Sequence, residues 1–380
     1  MLTLTVRYDV NYVQITFPCA ETTLRTALQK LKIKENENPS LFVWEVEEPE
    51  ELGCLKDQFV DLDEINYLAK RMESFNKKEL QRFLAVITQH CYETPKDMIN
   101  LTFNLSHYSL IQDFTSPEAI GKAHLLCKQG GISIEEMDKG NLAAVGRQLV
   151  ALGNGRISEY GLIFTNGDIP FVEVYDGQVY PEYHYEESLL QAKLTYHGRT
   201  EYAYLPCDDL AIEKCIRRLG ADSIDGCEVQ FIDFGMDDAA WFDTFKAILE
   251  REGLYIVNEL AAQVGEEDEL DVLVAAIEFA DIEDAKSMMF LAKKVDHFIH
   301  IPIVEGEAEL AYYWIEQNKE YQLNKELEPY FDYAKYGAKL HSELNGKFLT
   351  DGGYIFLEGN QRIEDFMQMN ESEDMTMGGM

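Results

Sequence analysis

The sequence predicts an α+β protein, a chain of small mixed helix and sheet domains that is internally duplicated. Three observations predict it. Apolar residues make up 46% and aromatic residues 12% of the 380, more core-forming material than a disordered acidic chain carries. Five segments recur in the same order at nearly constant spacing. Within each copy, helical and strand periodicities are segregated instead of alternating.

The repeat runs as follows. Phe17-Pro18-Cys19-Ala20-Glu21 opens the helical stretch TTLRTALQKL, and Leu205-Pro206-Cys207-Asp208-Asp209 opens LAIEKCIRRL at an offset of 188. INYLAKRM (65–72) resembles VNELAAQV (257–264), and EAIGKAHLL (118–126) resembles EAELAYYWI (307–315). VGRQLVALGNGRI (145–157) resembles YGAKLHSELNGKF (336–348), and EYGLIF (159–164) resembles GGYIFL (352–357). The domains are then a first unit at 1–165, a connector at 166–201, a second unit at 202–359 and a disordered tail at 360–380.

Each copy offers the same elements. An amphipathic helix is followed by an alternating strand, LFVWEVE (41–47) or CEVQFIDF (227–234). Apolar spacing near 3.6 then marks long helical regions in DEINYLAKRMESF and VNELAAQVGEEDELDVLVAAI. A second strand follows, INLTFNL (99–105) or HFIHIPI (297–303), then a further helix. Asn154-Gly155 and Asn345-Gly346 fit left-handed helix stops, and Asp351-Gly352 fits a tight turn. Gly130-Gly131 marks a loop or helix stop, and the connector suggests an ordered hairpin about Asp176-Gly177.

Charge narrows the function. There are 69 acidic residues against 33 basic ones, a net charge of −36. A folded body this acidic repels nucleic acid, which needs Lys and Arg to neutralise its phosphates, and it suits basic partner surfaces. The load is uneven. Residues 1–190 hold 29 acids and 17 bases, net −12; residues 191–380 hold 40 and 16, net −24. Cys19, Cys54, Cys91, Cys127, Cys207, Cys215 and Cys227 contain no C-x-x-C pair, which suggests buried free thiols in a reducing compartment. No signal-peptide pattern opens the sequence and no apolar run is long enough to span a membrane, so a cytoplasmic location is expected.

Chemistry-bearing motifs are sparse. His297-x-x-His300 falls on an expected strand, where positions i and i+3 face opposite ways, so no metal site is expected. There is no H-E-x-x-H, no G-x-x-x-x-G-K-[ST], no G-x-S-x-G and no G-x-G-x-x-G after a strand, so neither catalysis nor a cofactor is expected.

The second unit resembles the ArdA antirestriction proteins of mobile elements. The similarity lies in the Leu205-Pro206 helix entry, Asp233-Phe234 at a strand end and the stretch from Asn258 to Ala261. Its most specific part is EAELAYYWIEQNKEYQLNKELEPYFDYAKYGAKLHSELNGKFLTDGGYIFLEG (307–359). The first unit reads as a more divergent copy. The resemblance implies an elongated row of small α+β domains that acts as a dimer. It also implies surface acids that imitate the phosphate path of bent DNA and occupy the DNA groove of type I restriction-modification enzymes. Two units in one chain allow an intrachain pseudo-dimer or a further homodimer.

Such a surface needs carboxylates closely spaced and without neighbouring cations. Helices supply this, because acids at i, i+3 and i+4 share a face. The first candidate cluster is Glu266, Glu267, Asp268, Glu269, Asp271, Glu278, Asp281, Glu283 and Asp284, in a stretch (266–285) without Lys or Arg. A second is Glu305, Glu307, Glu309, Glu316, Glu320, Glu326, Glu328 and Asp332, interrupted only by Lys319 and Lys325. A third is Asp233, Asp237, Asp238 and Asp243. In the first unit, Glu45, Glu47, Glu48, Glu50, Glu51, Asp57, Asp61, Asp63 and Glu64 form a run that a solvated loop explains nearly as well. Tyr312, Tyr313, Trp314, Tyr330, Phe331, Tyr333 and Tyr336 read as core.

Competing readings differ in what they require. A CRISPR nuclease also holds nucleic acid in a positively charged channel and is an alternative target. An enzyme with an acidic active site would lose its activity with one or two carboxylates. An assembly protein acidic only for solubility would bind no DNA-handling partner.

Overall fold

The computed structural model describes residues 1–34, 39–90, 92–134, 137, 139–184, 188–234, 239–265, 269–317, 323, 324, 326 and 328–368. The first copy opens with the hairpin β1 (Leu2–Tyr8) and β2 (Asn11–Phe17), then α1 (Glu21–Lys30), β3 (Leu41–Glu48) and β4 (Phe59–Val60). Helices α2 (Leu62–Glu73), α3 (Lys77–Gln89) and α4 (Pro95–Phe103) follow, then β5 (Tyr108–Ile111), α5 (Pro117–Gln129), α6 (Lys139–Ala151), β6 (Arg156–Ser158) and β7 (Gly161–Thr165). The second copy runs β8 (Leu190–Tyr196), β9 (Arg199–Leu205), α7 (Asp209–Leu219), β10 (Glu228–Phe234), α8 (Ala239–Glu252), α9 (Leu254–Gly265), α10 (Leu270–Ala280) and α11 (Ala285–Ala292). It closes with β11 (Phe298–Ile301), α12 (Glu307–Gln317), α13 (Tyr333–Leu344), β12 (Lys347–Phe348) and β13 (Tyr354–Leu357). Separate small sheets beside helix pairs make this a mixed α+β chain.

Among the described residues, the stretches 2–165 and 190–357 follow the same element order, apart from β4 in the first and α8 in the second, and are called the first and second copy for the expected repeat. Their sheets share an order: β2-β1-β3 matches β9-β8-β10, and β5-β7-β6 matches β11-β13-β12. Ladder register equates Thr165, opposite Tyr108, with Leu357, opposite Phe298, one step from the equation the letters suggest.

Fine contacts repeat as well. Asn66 accepts from the backbone N–H of Cys19 (2.9 Å) and donates to its carbonyl (3.0 Å). Asn258 makes the same two bonds to Cys207, at 2.9 and 2.7 Å. Each Asn pins the residue leading into the first helix of its copy, α1 or α7, whose first backbone groups have no intrahelical partners. Asn66→Ala and Asn258→Ala should each cost about 1–3 kcal/mol, read as equal shifts in urea midpoint. In each closing domain, helices touch at a glycine. A Cβ on Gly146 would lie 1.8 Å from the Pro117 carbonyl oxygen, and one on Gly337 would lie 1.6 Å from that of Glu307.

The chain divides into two compact units: Met1–Glu186 with Leu194–Tyr202 and Leu210–Glu228, and Glu187–Lys193 with Ala203–Asp209 and Val229–Met380. Helix α7 therefore belongs to the first. Its Lys214 lies between Glu21 (2.6 Å) and Asp63 (2.7 Å), all three nearly buried. Arg218 grips Glu201 with two bonds (2.8 and 3.0 Å) and lies over the Tyr180 ring at 4.6 Å. Burial alone would lower the Lys214 pKa, but Asp63 and Glu21 outweigh it and raise it. Removing one partner from such a set strands the other charges. Lys214→Met should lower unfolding free energy by about 3 kcal/mol in urea titrations. A change under about 0.5 kcal/mol would contradict this account.

Several expectations fail locally. INLTFNL lies largely in helix α4, not a strand, because Thr94 caps it and Pro95 starts it, and the strand falls at Tyr108–Ile111. The connector forms no hairpin ladder about Asp176-Gly177. Side-chain amides replace the partner strand: Asn104 bonds the N–H and C=O of Val172, and Asn100 bonds the N–H groups of Val174 and Tyr175 and the Tyr175 carbonyl. The helical region from Val257 is two helices, α9 and α10. Gly153 (φ 64°), not Asn154, takes the left-handed backbone after α6, whereas Asn345 (φ 53°) does so as expected. The β12–β13 turn uses both Gly352 and Gly353 at positive φ. Gly130 ends α5 as a left-handed cap. Disorder from residue 360 fails for the described part, since 363–368 are helical and Phe366 is buried; 369–380 lie outside the described residues.

Candidate partner-binding surface

In the first copy the acids are largely spoken for. Glu47 accepts from Thr5 (2.7 Å) and Gln14, and Glu51 from the Tyr160 hydroxyl. Asp61 caps α2 and Asp63 pairs with Lys214. Burial first, then neighbouring carboxylates, raises the pKa values of Asp61 and Glu64. Of the run expected from sequence, Glu45, Glu48, Glu50 and Asp57 are exposed.

The second copy differs. Glu305, Glu307, Glu309, Glu316, Glu326, Glu328 and Asp332 are all exposed. No described Lys, Arg or His lies within ion-pair distance of any of them. Helix α12 sets Glu309 and Glu316 seven residues apart, so on one face about 10.5 Å apart along the axis. Glu309 also accepts from the Glu305 N–H (2.7 Å), and Asp332 caps α13. Between the glutamates stand Tyr312 and Tyr313, 53% and 39% exposed, and Tyr330 is 86% exposed. The core reading fails for these three. Apolar spacing cannot tell a tyrosine that packs from one that stands among acids. Trp314 and Tyr336 pack against the core, as expected.

The other clusters are mixed. Glu269, Asp271, Asp281, Glu283, Asp284, Asp233 and Asp243 are exposed. Glu283 pairs with Arg251 (2.8 Å), Asp284 caps α11, and Asp271 lies 3.8 Å from His300. Glu278 departs from the expected role. It is half-buried, and its carboxylate accepts from the Thr350 N–H and hydroxyl, both at 2.7 Å, so it anchors the β12–β13 turn. Glu266, Glu267, Asp268, Asp237, Asp238 and Glu320 lie outside the described residues.

One pair imitates a catalytic dyad. The Ser109 hydroxyl lies 2.8 Å from His124 Nδ1, but its proton is directed to Asn166 Oδ1 at 3.0 Å. The hydroxyl therefore accepts from the histidine, which cannot act as its base. Ser109 is also fully buried. Among the described residues no group of His, Cys, Asp and Glu could hold a metal ion, and no helix is long and apolar enough to cross a membrane. Among the described residues six cysteines form no disulfide; Cys215 is buried and the other five are half-buried.

Residues 197–356, from the β8–β9 turn to β13, match the family model described as antirestriction protein (ArdA). The match takes in most of the second copy and leaves residues 1–196 outside it. A comparison with curated proteins finds no match.

Proposed function

We propose that the second copy, whose residues 197–356 match the ArdA antirestriction family model, inhibits by DNA mimicry. Its carboxylates stand where phosphates would and occupy the DNA-binding groove of a type I restriction-modification enzyme. One observation carries this reading: Glu305, Glu307, Glu309 and Glu316, on or beside α12, are exposed and pair with no cation among the described residues, Lys319 and Lys325 lying outside these, whereas several first-copy acids are engaged internally. Like charges on one helix face cost stability, so their accumulation serves something other than folding. Tyr312 and Tyr313 add flat faces on which the Arg side chains of a DNA-binding groove can stack.

We infer further that the first copy is a divergent, less acidic version of the same unit. The shared element order, the two Asn clamps and the two glycine contacts support this. Inhibition is then stoichiometric and non-enzymatic. The test is binding to a purified type I enzyme at rising salt, with and without competing duplex DNA. Affinity should fall steeply with salt, because screening weakens charge attraction, and saturating DNA should exclude the protein. Equal binding to the DNA-saturated enzyme would overturn the reading.

A further inference from the structure

Both copies carry a groove between the second strand of the opening hairpin and the following helix, and the two grooves are in different states. Phe17 and Leu205 end the strands, and Lys32 (φ 63°) and Gly220 (φ 80°) end the helices in the same left-handed turn. The same backbone bonds close both turns: Ile33 N–H to Leu28 and Ala221 N–H to Ile216. By this equation Val13, Thr26 and Lys30 in the first copy stand where Glu201, Lys214 and Arg218 stand in the second.

The second groove is filled. Tyr180 of the connector lies under Arg218, its N–H is held by Glu201 (2.8 Å), and its ring stacks on Tyr67 at 4.7 Å. The occupant comes from the segment that leaves the preceding copy. The first groove is open. It has a volume of about 340 Å³ and is lined by Val13, Ile15, Thr16, Thr26, Ala27 and Lys30, among others. Ile15 and Ala27 lie buried at its floor, its walls add Gln14, Thr22 and Thr23, and its rim carries exposed Lys30. Strand β2 is also the edge of its sheet, a ready template for an added extended segment.

We propose that this groove takes the segment that follows Phe366 in a second copy of the chain, so that copies associate head to tail. The donor segments leave their copies alike: Phe171 packs on His107 at 5.8 Å, and Phe366 packs on His297 at 5.7 Å. Within the chain the donor copy precedes the acceptor, and for the first groove that order is met by the second copy of another chain. The chemistry fits. Residues 367–380 contain Glu371, Glu373 and Asp374 to meet Lys30, polar Asn370, Ser372 and Thr376 to meet the Thr and Gln walls, and no Lys or Arg. Such a contact joins two different surfaces, so it extends unless rotation closes a ring. The inference rests on the two grooves and is independent of the DNA-mimic reading.

The test uses three proteins: the full chain, the chain ending at Gln368 and full-length Lys30→Glu. A labelled peptide of residues 367–380 is the probe. Sedimentation over a hundredfold concentration range should show association by the full chain alone. The peptide should bind the truncated chain, and Lys30→Glu should weaken that binding at least tenfold at unchanged melting temperature. Equal association by the truncated chain, or peptide binding indifferent to Lys30→Glu, would overturn the proposal. So would a full chain that stays monomeric while the free peptide binds, since the segment would then dock on its own chain. DNA competition for a restriction enzyme, run on the same variants, separates this outcome from failure of the inhibitory reading.

Discussion

Replacing Glu305, Glu307, Glu309, Glu316, Glu326 and Glu328 together by Gln should raise the concentration needed for half-inhibition of a type I restriction enzyme about a hundredfold. Each exposed charge contributes about 0.5 kcal/mol to an ion pair with a partner cation. Six independent contributions come to about 3 kcal/mol, and every 1.4 kcal/mol is about tenfold in affinity. Any single replacement should shift inhibition less than about threefold. A catalytic carboxylate would show the opposite pattern, with one replacement abolishing activity and the rest doing nothing. The melting temperature supplies the control. Neutralising like charges relieves repulsion within and beside α12, so the sextuple variant should melt no lower than the parent. Lost inhibition with a lowered melting temperature would point to unfolding instead.

Gly337→Ala should be the most damaging single methyl in the second copy. The added carbon would sit 1.6 Å from the Glu307 carbonyl oxygen, a backbone atom that cannot swing aside. Helices α12 and α13 must separate, opening the cluster of Leu310, Leu340, Leu344 and Tyr354. Overpacking of this kind costs about 1–3 kcal/mol, and backbone contact sets the upper end. Gly146→Ala should do the same to α5 and α6, where the target is Pro117. Gly306→Ala is the internal control, because its new methyl meets nothing within 4 Å. Urea unfolding distinguishes them: two large, similar losses beside one near zero. Comparable stability at Gly337 and Gly306 would contradict the close helix crossing.

The paired helix entries, asparagine clamps and helix-crossing glycines were legible because they are residues with local jobs. Pro-Cys before a helix, Asn on the next helix to clamp it and Gly at a helix crossing leave marks at fixed positions. The acidic second-copy surface was legible for the same reason: exposed charge is a property of side chains, whatever the topology. Two things were hidden. Asn100 and Asn104 look like residues of an alternating strand, yet one sits on helix α4 and the other caps its end, and both serve as the connector's hydrogen-bonding partners. Periodicity cannot see a ladder made of side-chain amides. Nor could spacing tell Glu278, bonded to Thr350, from Glu309, open to solvent. Which carboxylates are free depends on groups brought together from more than 70 positions away.

The placement of α7 has a consequence for how this chain can be taken apart. By letters, Lys214 and Arg218 belong to the second copy; by packing, they neutralise Glu21 and Asp63 of the first and grip Glu201. A cut at residue 202 would follow the pattern of the sequence and leave an N-terminal fragment with uncompensated carboxylates. Cutting after Glu228 would keep the network but deprive the second copy of its opening helix. Neither half is a transferable cassette.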